Sequence, residues 1–347
     1  MHGTIYEFEK LPGVTRNSQQ ASPGLHSRAR KVRAVPLVGI IRNPRSHRNK
    51  GQAAELADCS NILTETPKTR ASLVDALALF DRRHVDYLVV DGGDGTVRDV
   101  LTCGAAIFGD DWPDLIVLPK GKTNALAIDL GLPTNWTLTE ALEAASRGFG
   151  VTRRPIRVIP ANGGEGCVQG FFVGGGVFTH ATQMGQEAHR WGAFNSLAVM
   201  LTTLWGIMLC MFGRSGNPWR SLTPMRLRDP KSGSELPYSR FGKRGRRFLF
   251  AATSFENFPF GIRPFGRNAS AGMKVLVLDW PLRWLMALLP VVLLGISARF
   301  LERSGIHRFA ADDVDADLGG SFILDGEEFP AGRYRLQNGP LLRFVVP

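Results

Sequence analysis

The residues of this chain best suited to chemistry are two aspartates set among glycines, Asp91-Gly-Gly-Asp-Gly-Thr96, directly after the apolar run Tyr87-Leu-Val-Val90. Gly92, Gly93 and Gly95 let the backbone turn tightly and bring its N–H groups close to phosphate oxygens. A helix beginning near Thr96 adds the positive end of its dipole. Asp94, between two glycines, can approach a bound Mg²⁺ or a reacting hydroxyl. A turn that only reversed the chain has no use for two carboxylates.

A second glycine turn, Gly121-Lys-Thr-Asn124, follows the run Leu115-Ile-Val-Leu118. It is not a P-loop, because that pattern requires glycine where Ile116 stands. It still offers the Lys122 ammonium, the Thr123 hydroxyl and the Asn124 amide ahead of a helix, a set that suits a further phosphate or ribose contact. Earlier, Asn43-Pro-Arg-Ser46 ends the first apolar run; the proline fixes a turn, and Asn43 and Ser46 present hydrogen-bonding groups to a nucleotide. Far downstream, Ile323-Leu-Asp-Gly-Glu-Glu328 holds Asp325 and Glu327 on either side of a glycine. Phosphoryl transfer needs a base to orient the attacking hydroxyl and a metal to spread developing charge. Asp325 and Glu327 serve those roles if the chain folds back to the first turns. Taken alone, the segment reads better as a hairpin tip with solvated acids.

Elements of a particular kind must position these residues. From Val35 to about residue 150, short apolar runs (35–41, 60–64, 87–90, 115–118) alternate with helical patterns (71–83, 97–106, 138–146), the grammar of a parallel α/β sheet. The polar and glycine-rich turns fall after the strands, where open α/β sheets bind ligands. Beyond residue 150 the runs 153–176, 248–253, 274–278 and 341–346 predict strands of a β-rich second domain, with the active cleft between the two. Two apolar stretches, 193–212 and 284–298, interrupt it. Polar residues in the first and Pro290 with short length in the second exclude membrane spans, so both are expected as buried or membrane-facing amphipathic helices. The expected division is therefore a basic, disordered tail over 1–34, an α/β domain over 35–150 and a β-rich domain over 151–347.

Charge and cysteine content narrow the class. The formal net charge of +11 favours an acidic partner: a phosphate-bearing substrate, nucleic acid or an anionic membrane. The four cysteines form no C-x-x-C pair and fit free thiols in a reducing compartment. There is no H-E-x-x-H and no G-x-S-x-G, which leaves hydrolase readings little support. No apolar segment follows the charges of the tail, so a secretory signal is not expected. Arg240-Phe-Gly-Lys-Arg-Gly-Arg-Arg247 is the densest basic run, read equally as a membrane-docking patch or a solvated loop. Aromatics interleave poorly with it, which disfavours nucleic acid. The acidic run Asp312, Asp313, Asp315 and Asp317 reads as a solvated loop.

Together the four motifs Asn43-Pro-Arg-Ser46, Gly92-Gly-Asp-Gly-Thr96, Gly121-Lys-Thr-Asn124 and Leu324-Asp-Gly-Glu327 resemble the diacylglycerol kinase catalytic family, which includes bacterial lipid kinases, sphingosine kinases and ceramide kinases. The resemblance implies an α/β fold of two domains, a nucleotide-binding domain with a parallel sheet joined to a β-sandwich-like lipid-binding domain with apolar helices. It implies that Gly92, Gly93, Asp94, Gly95, Thr96, Gly121, Lys122, Thr123 and Asn124 hold ATP, joined by Asn43, Ser46 and Thr66 (or Thr64). Asp325 is then the general base, with Asp94 and Glu327 supporting Mg²⁺ or the hydroxyl. The implied partners are a membrane lipid substrate and an anionic membrane surface, with the protein cytoplasmic and peripheral to the inner face of the membrane. No nucleic acid partner is implied, and no oligomeric state is specified.

The chain departs from the family pattern at His47, Lys122, Thr123, Ala125 and Ile128, and Asn124-Ala-Leu-Ala127 looks like the sphingosine kinase form. The acceptor is thus open among diacylglycerol, ceramide and a sphingoid base. Two other readings stay open: a soluble NAD kinase-like enzyme, which shares the GGDGT turn, and a non-catalytic lipid-binding protein on the same scaffold.

Overall fold

The computed structural model describes residues 33–52, 55, 56, 58–161, 166–180, 182, 217–266, 272–296 and 299–347; the expected helix over 193–212 and residues 1–32 of the basic tail lie outside them. The described chain opens with β1 (Val38–Arg42), β2 (Ile62–Glu65), α1 (Arg70–Arg83), β3 (Tyr87–Gly92), α2 (Asp94–Phe108), β4 (Asp114–Pro119), α3 (Ala125–Asp129), α4 (Leu138–Ser146) and β5 (Val151–Arg153). Strands β2-β1-β3-β4 pair in that order and all parallel.

Alternation along the strands sends their side chains to two cores. Ile41, Leu88, Val90, Leu115 and Val117 meet α1 and α2 through Leu77, Phe80, Val97 and Leu101. On the other face, Val38, Ile40, Val89, Ile116 and Leu118 meet α4 through Leu138, Ala141 and Ala144. Both helices start on capping boxes, Thr69 with Ser72 for α1 and Thr137 with Glu140 for α4. Arg33 donates to the carbonyls of Arg83 and His84 and pairs with Asp86 at 3.1 Å, so the chain is already docked at the point where a free tail was expected to end.

Two six-stranded sheets form the second unit. One is ordered β10 (Arg246–Arg247), β9 (Thr223–Arg228), β14 (Asp313–Leu318), β17 (Gly332–Asn338), β6 (Ile156–Pro160) and β7 (Val168–Gly170). The other is ordered β13 (Ile306–Ala311), β12 (Met273–Leu278), β11 (Leu249–Thr253), β8 (Phe172–Gly176), β15 (Phe322–Leu324) and β16 (Glu327–Phe329). Their pairings are antiparallel, and one core that includes Val158, Leu227, Ala316 and Leu336 from the first sheet and Val173, Phe250, Val275 and Phe322 from the second lies between them. The expected α/β fold with a β-rich second part is thus present.

Three details depart from the sequence reading. The last strand, β18 (Leu342–Phe344), leaves the second unit and pairs parallel with β4 and antiparallel with β5, so the first sheet has six strands and draws on both ends of the described chain. The acidic run is not a loop: Asp313, Asp315 and Asp317 alternate with buried Val314, Ala316 and Leu318 along β14, and Asp315 pairs with Arg335 at 2.8 Å. The apolar stretch near 284–298 breaks into α5 (Arg283–Ala287) and α6 (Leu289–Leu293), followed by α7 (Arg299–Arg303), with Pro290 opening the second. Among the described residues no helix is long and apolar enough to cross a membrane.

Candidate active site

In the order β2-β1-β3-β4 the succession of parallel strands changes direction across the sheet between β1 and β3, the crevice in which open α/β sheets place their ligands. The turn after β1 and the turn after β3 meet there. The Asn43 side-chain amide donates to Thr96 Oγ1 at 2.9 Å, and the Asn43 backbone amide to the Asp91 carbonyl at 3.0 Å. Ser46 closes the turn through its amide on the Asn43 carbonyl, 3.1 Å. Below them Asp91 is buried and paired with Arg42 at 2.7 Å, and Asn49 donates to its carboxylate at 3.0 Å. Burial raises the Asp91 pKa against those partners. The pair fixes the turn rather than facing the crevice.

The glycine turn and the GKTN turn are packed backbone to backbone. A Cβ on Gly93 would lie 2.8 Å from the Gly121 Cα, so only glycine permits this approach. Asp94 ties them: its two oxygens accept the amides of Ala125 (3.0 Å) and Leu126 (3.3 Å) at the start of α3. Asn124, at φ 51°, accepts from the Gly121 amide at 2.8 Å and returns its own amide to the Gly121 carbonyl at 3.1 Å. Helix α2 starts on Gly93, which supplies no side-chain cap; the Thr96 amide closes on the Gly93 carbonyl at 2.9 Å, and the Asp94 and Gly95 amides ahead of it are those suited to an anion. Lys122 and Thr123 are exposed on the rim, and Thr66 is exposed just after β2 on the same edge of the sheet.

From the second unit, the β15–β16 hairpin reaches this edge. Asp325 and Gly326 both carry positive φ, 45° and 82°, as a two-residue hairpin turn requires. The Asp325 carboxylate accepts the Phe171 amide at 3.0 Å and the Phe172 amide at 2.9 Å. A Cβ on Gly170 would lie 2.4 Å from its Oδ2. The carboxyl is thus packed against the β7–β8 backbone although the residue as a whole is part-exposed. Its burial and, second, the charge of Asp94 push its pKa up to about 7, against the pull of the two amides. Burial raises Asp94 as well. The two carboxylates, one from each unit, are near enough for the charge of Asp94 to act on Asp325.

Glu327 bridges to Arg98 of α2 at 2.9 Å. Burial opposes the Arg98 charge, but Asp99 and Glu327 outweigh it and hold the guanidinium firmly protonated. Burial raises Glu327 in turn, with Arg98 acting against it. Arg98, 2% exposed, is the residue the sequence reading missed; the available signal was a charge among Val97, Val100 and Leu101 on the buried side of α2. The Gln169 amide on Thr102 Oγ1, 3.0 Å, docks β7 on the same helix.

The basic run splits. Arg247 is fully buried, ion-paired with Asp279 and lying 4.0 Å from the Tyr238 ring, so it belongs to the core and not to a docking patch. Among the described residues no three His, Cys, Asp or Glu side chains cluster as a metal site.

Residues 38–161 match the family model of the diacylglycerol kinase catalytic domain, and the resemblance read from the motifs is borne out over that segment. A diacylglycerol kinase of Bacillus subtilis (strain 168) is 36% identical over 81 residues, 23% of this chain and 25% of that protein. The "Probable lipid kinase YegS" of Shigella flexneri is 39% identical over 64 residues, 18% of this chain and 21% of that protein. The match spans about a quarter or less of these relatives' length. Two crystal structures from Bacillus anthracis str. Sterne, one described as "a putative diacylglycerol kinase" and one as "a diacylglycerol kinases", share the fold, with TM-scores of 0.61 and 0.56 at 17% and 15% identity, each covering 90% of this chain and 97% of the other.

Proposed function

We propose that this protein is an ATP-dependent kinase that transfers the γ-phosphoryl group to a hydroxyl of a membrane lipid: a diacylglycerol, a ceramide or a sphingoid base. The observation that carries the reading is the Asp325 carboxylate, raised to about 7 and held by the Phe171 and Phe172 amides at the ligand edge of the first sheet, in the field of Asp94. A base of that pKa takes a proton from an alcohol as it attacks, yet is ionised near neutral pH. The turns at 92–96 and 121–124, with Asn43, Ser46 and Thr66 on the same edge, supply the nucleotide's contacts. Lys122 and the first turn of α2 face the phosphates, and the attack is in line.

The acceptor's lipid character is supported by what adjoins the base. The Phe172 ring lies 5.0 Å from Phe178 and 6.5 Å from Phe265, which stacks on Phe258 at 5.6 Å. An aromatic wall of this kind suits alkyl chains and gives a dinucleotide little to bond to.

Mg²⁺ fits the donors present, which are carboxylate oxygens of Asp94 and Glu327; each Asp94 oxygen keeps a lone pair beyond its amide. Glu327 is shared with Arg98, so Asp94 and Glu327 would hold the ion only in part, with phosphates and water supplying the remaining ligands, as is usual for Mg²⁺. Bound there, it spreads the charge that develops on the transferred group.

Incubation with γ-labelled ATP and a panel of diacylglycerol, ceramide, sphingosine and NAD, followed by separation of lipid and nucleotide fractions, tests the proposal. Label is expected in one lipid, and Asp325→Asn is expected to abolish it while ATP affinity stays within a few-fold. Label in the NAD fraction, or turnover by Asp325→Asn equal to wild type, overturns the reading.

A further inference from the structure

Phe260 is 87% exposed and sits at φ 58°, ψ 17°, the left-handed region that a bulky side chain rarely occupies. Burial of the ring does not stabilise that conformation, since the side chain stands in solvent. Its loop is not adrift. Three residues on, the Arg263 amide donates to the Leu293 carbonyl at the end of α6, 2.6 Å. Arg308 of β13 donates to the carbonyls of Val292 (2.7 Å) and Ile296 (3.0 Å), which fixes the end of α6 to the sandwich.

The three short helices share this construction. Leu285, Met286, Val292 and Leu301 turn inward into one cluster with Val177, Phe248, Leu278 and Ile306. Trp284, Ile296 and Phe300 turn outward and are 44%, 41% and 49% exposed. Interleaved with them are exposed Arg283, Arg299 and Arg303, and Arg263 beside Phe260; over 283–303 the one acid is Glu302. Aromatic and branched apolar side chains among arginines on a rigid base match the layering of an anionic bilayer, acyl below and phosphate above.

We propose that the face formed by the Phe260 loop, Trp284, Ile296, Phe300 and the surrounding arginines docks the protein on an anionic phospholipid bilayer, with Phe260 as the inserted tip. The occupant is a membrane and not a second protein because exposed Arg263, Arg283, Arg299 and Arg303 outweigh the one acid among them, Glu302, and leave a net positive charge that a second copy of the same face repels. The inference names the partner surface of the proposed enzyme, but its readout is binding, without ATP, so it stands or falls separately from the kinase reading.

Sedimentation of the full chain with vesicles of phosphatidylcholine alone, and of phosphatidylcholine mixed with phosphatidylglycerol, is the test. The wild type is expected to bind the mixed vesicles preferentially. Phe260→Gly removes the ring and relieves the left-handed backbone, so vesicle affinity falls by about tenfold while the melting temperature holds or rises. A side chain with only a structural role would lower the melting temperature and leave binding alone. Arg299→Glu with Arg303→Glu is expected to abolish the preference for the anionic vesicles. The inference is overturned if the wild type does not sediment with the mixed vesicles, or if both variants sediment as it does. A dimer in solution that Phe300→Ser dissociates also overturns it, since the face is then an interface between copies.

Discussion

Asp325 is pulled in opposite directions by its neighbours: the Phe171 and Phe172 amides favour the ionised form, while burial and Asp94 favour the protonated one and prevail. Two consequences separate a catalytic base from a structural carboxylate. Activity is expected to rise with pH through a midpoint near 7 and to level off above it, and Asp94→Asn is expected to move that midpoint down by removing a like charge. A midpoint unmoved by Asp94→Asn would mean that the two groups do not interact. The second consequence is for stability. Because the folded pKa lies above the ordinary value of 3.8, the folded state holds a proton that the unfolded state releases between about pH 4 and 7, and stability falls as pH rises through that window. The cost is complete above the window and amounts to roughly 4 kcal/mol at most. The melting temperature of Asp325→Asn relative to wild type should therefore be more favourable at pH 8 than at pH 5. The sequence revealed Asp94 and Asp325 because each sits beside glycine in a short motif. It concealed Arg98, because a buried cation can be recognised only once its partners Glu327 and Asp99, supplied by another domain and by the next residue, are in place.

At the scale of elements, the nucleotide edge is two turns pressed together, and glycine is what lets them touch. A Cβ on Gly93 meets the Gly121 Cα at 2.8 Å, a backbone atom that cannot swing away, whereas a Cβ on Gly95 meets nothing nearer than the Arg98 Nη2 at 3.8 Å. Gly93→Ala should cost about 1–3 kcal/mol by forcing the turns apart, and because Asp94 then loses its grip on the Ala125 and Leu126 amides, the KM for ATP should rise more than kcat falls. Gly95→Ala, in the first turn of α2 with an ordinary contact distance, should hold or raise the melting temperature. Equal destabilisation by the two substitutions would show that helix propensity, not the contact between turns, governs the site. The turns were legible because glycine runs at strand ends have few other uses. Strand β14 was not read, since its period-2 pattern Asp313-Val-Asp-Ala-Asp-Leu318 was masked by charge: three carboxylates on one face drew attention from the Val314, Ala316 and Leu318 stripe on the other.

For the whole molecule, the decisive feature is that the two units are not strung end to end. A change of pattern near residue 150 was legible, but the places of β5 and β18 in the first sheet were not, because Leu341 to Val346 reads as a strand without saying whose. That strand links the first unit's core to Asp325, the base of the proposed reaction. Phe344 is fully buried in the first unit's core, where its ring meets Phe171 edge-on at 6.1 Å. Phe171 in turn stacks on Phe255 at 5.7 Å and gives its backbone amide to Asp325. The position of the base is therefore set from the C-terminal strand through one phenylalanine. Phe344→Ala should remove about 3–5 kcal/mol of stability, and the loosened Phe171 should admit water to the Asp325 carboxyl. The midpoint of the pH–activity profile is then expected to fall toward the ordinary carboxylate range while the KM for ATP changes little. A protein that melts earlier but titrates as before would show that Phe344 only fills the core, and that the base is fixed by the β15–β16 hairpin alone.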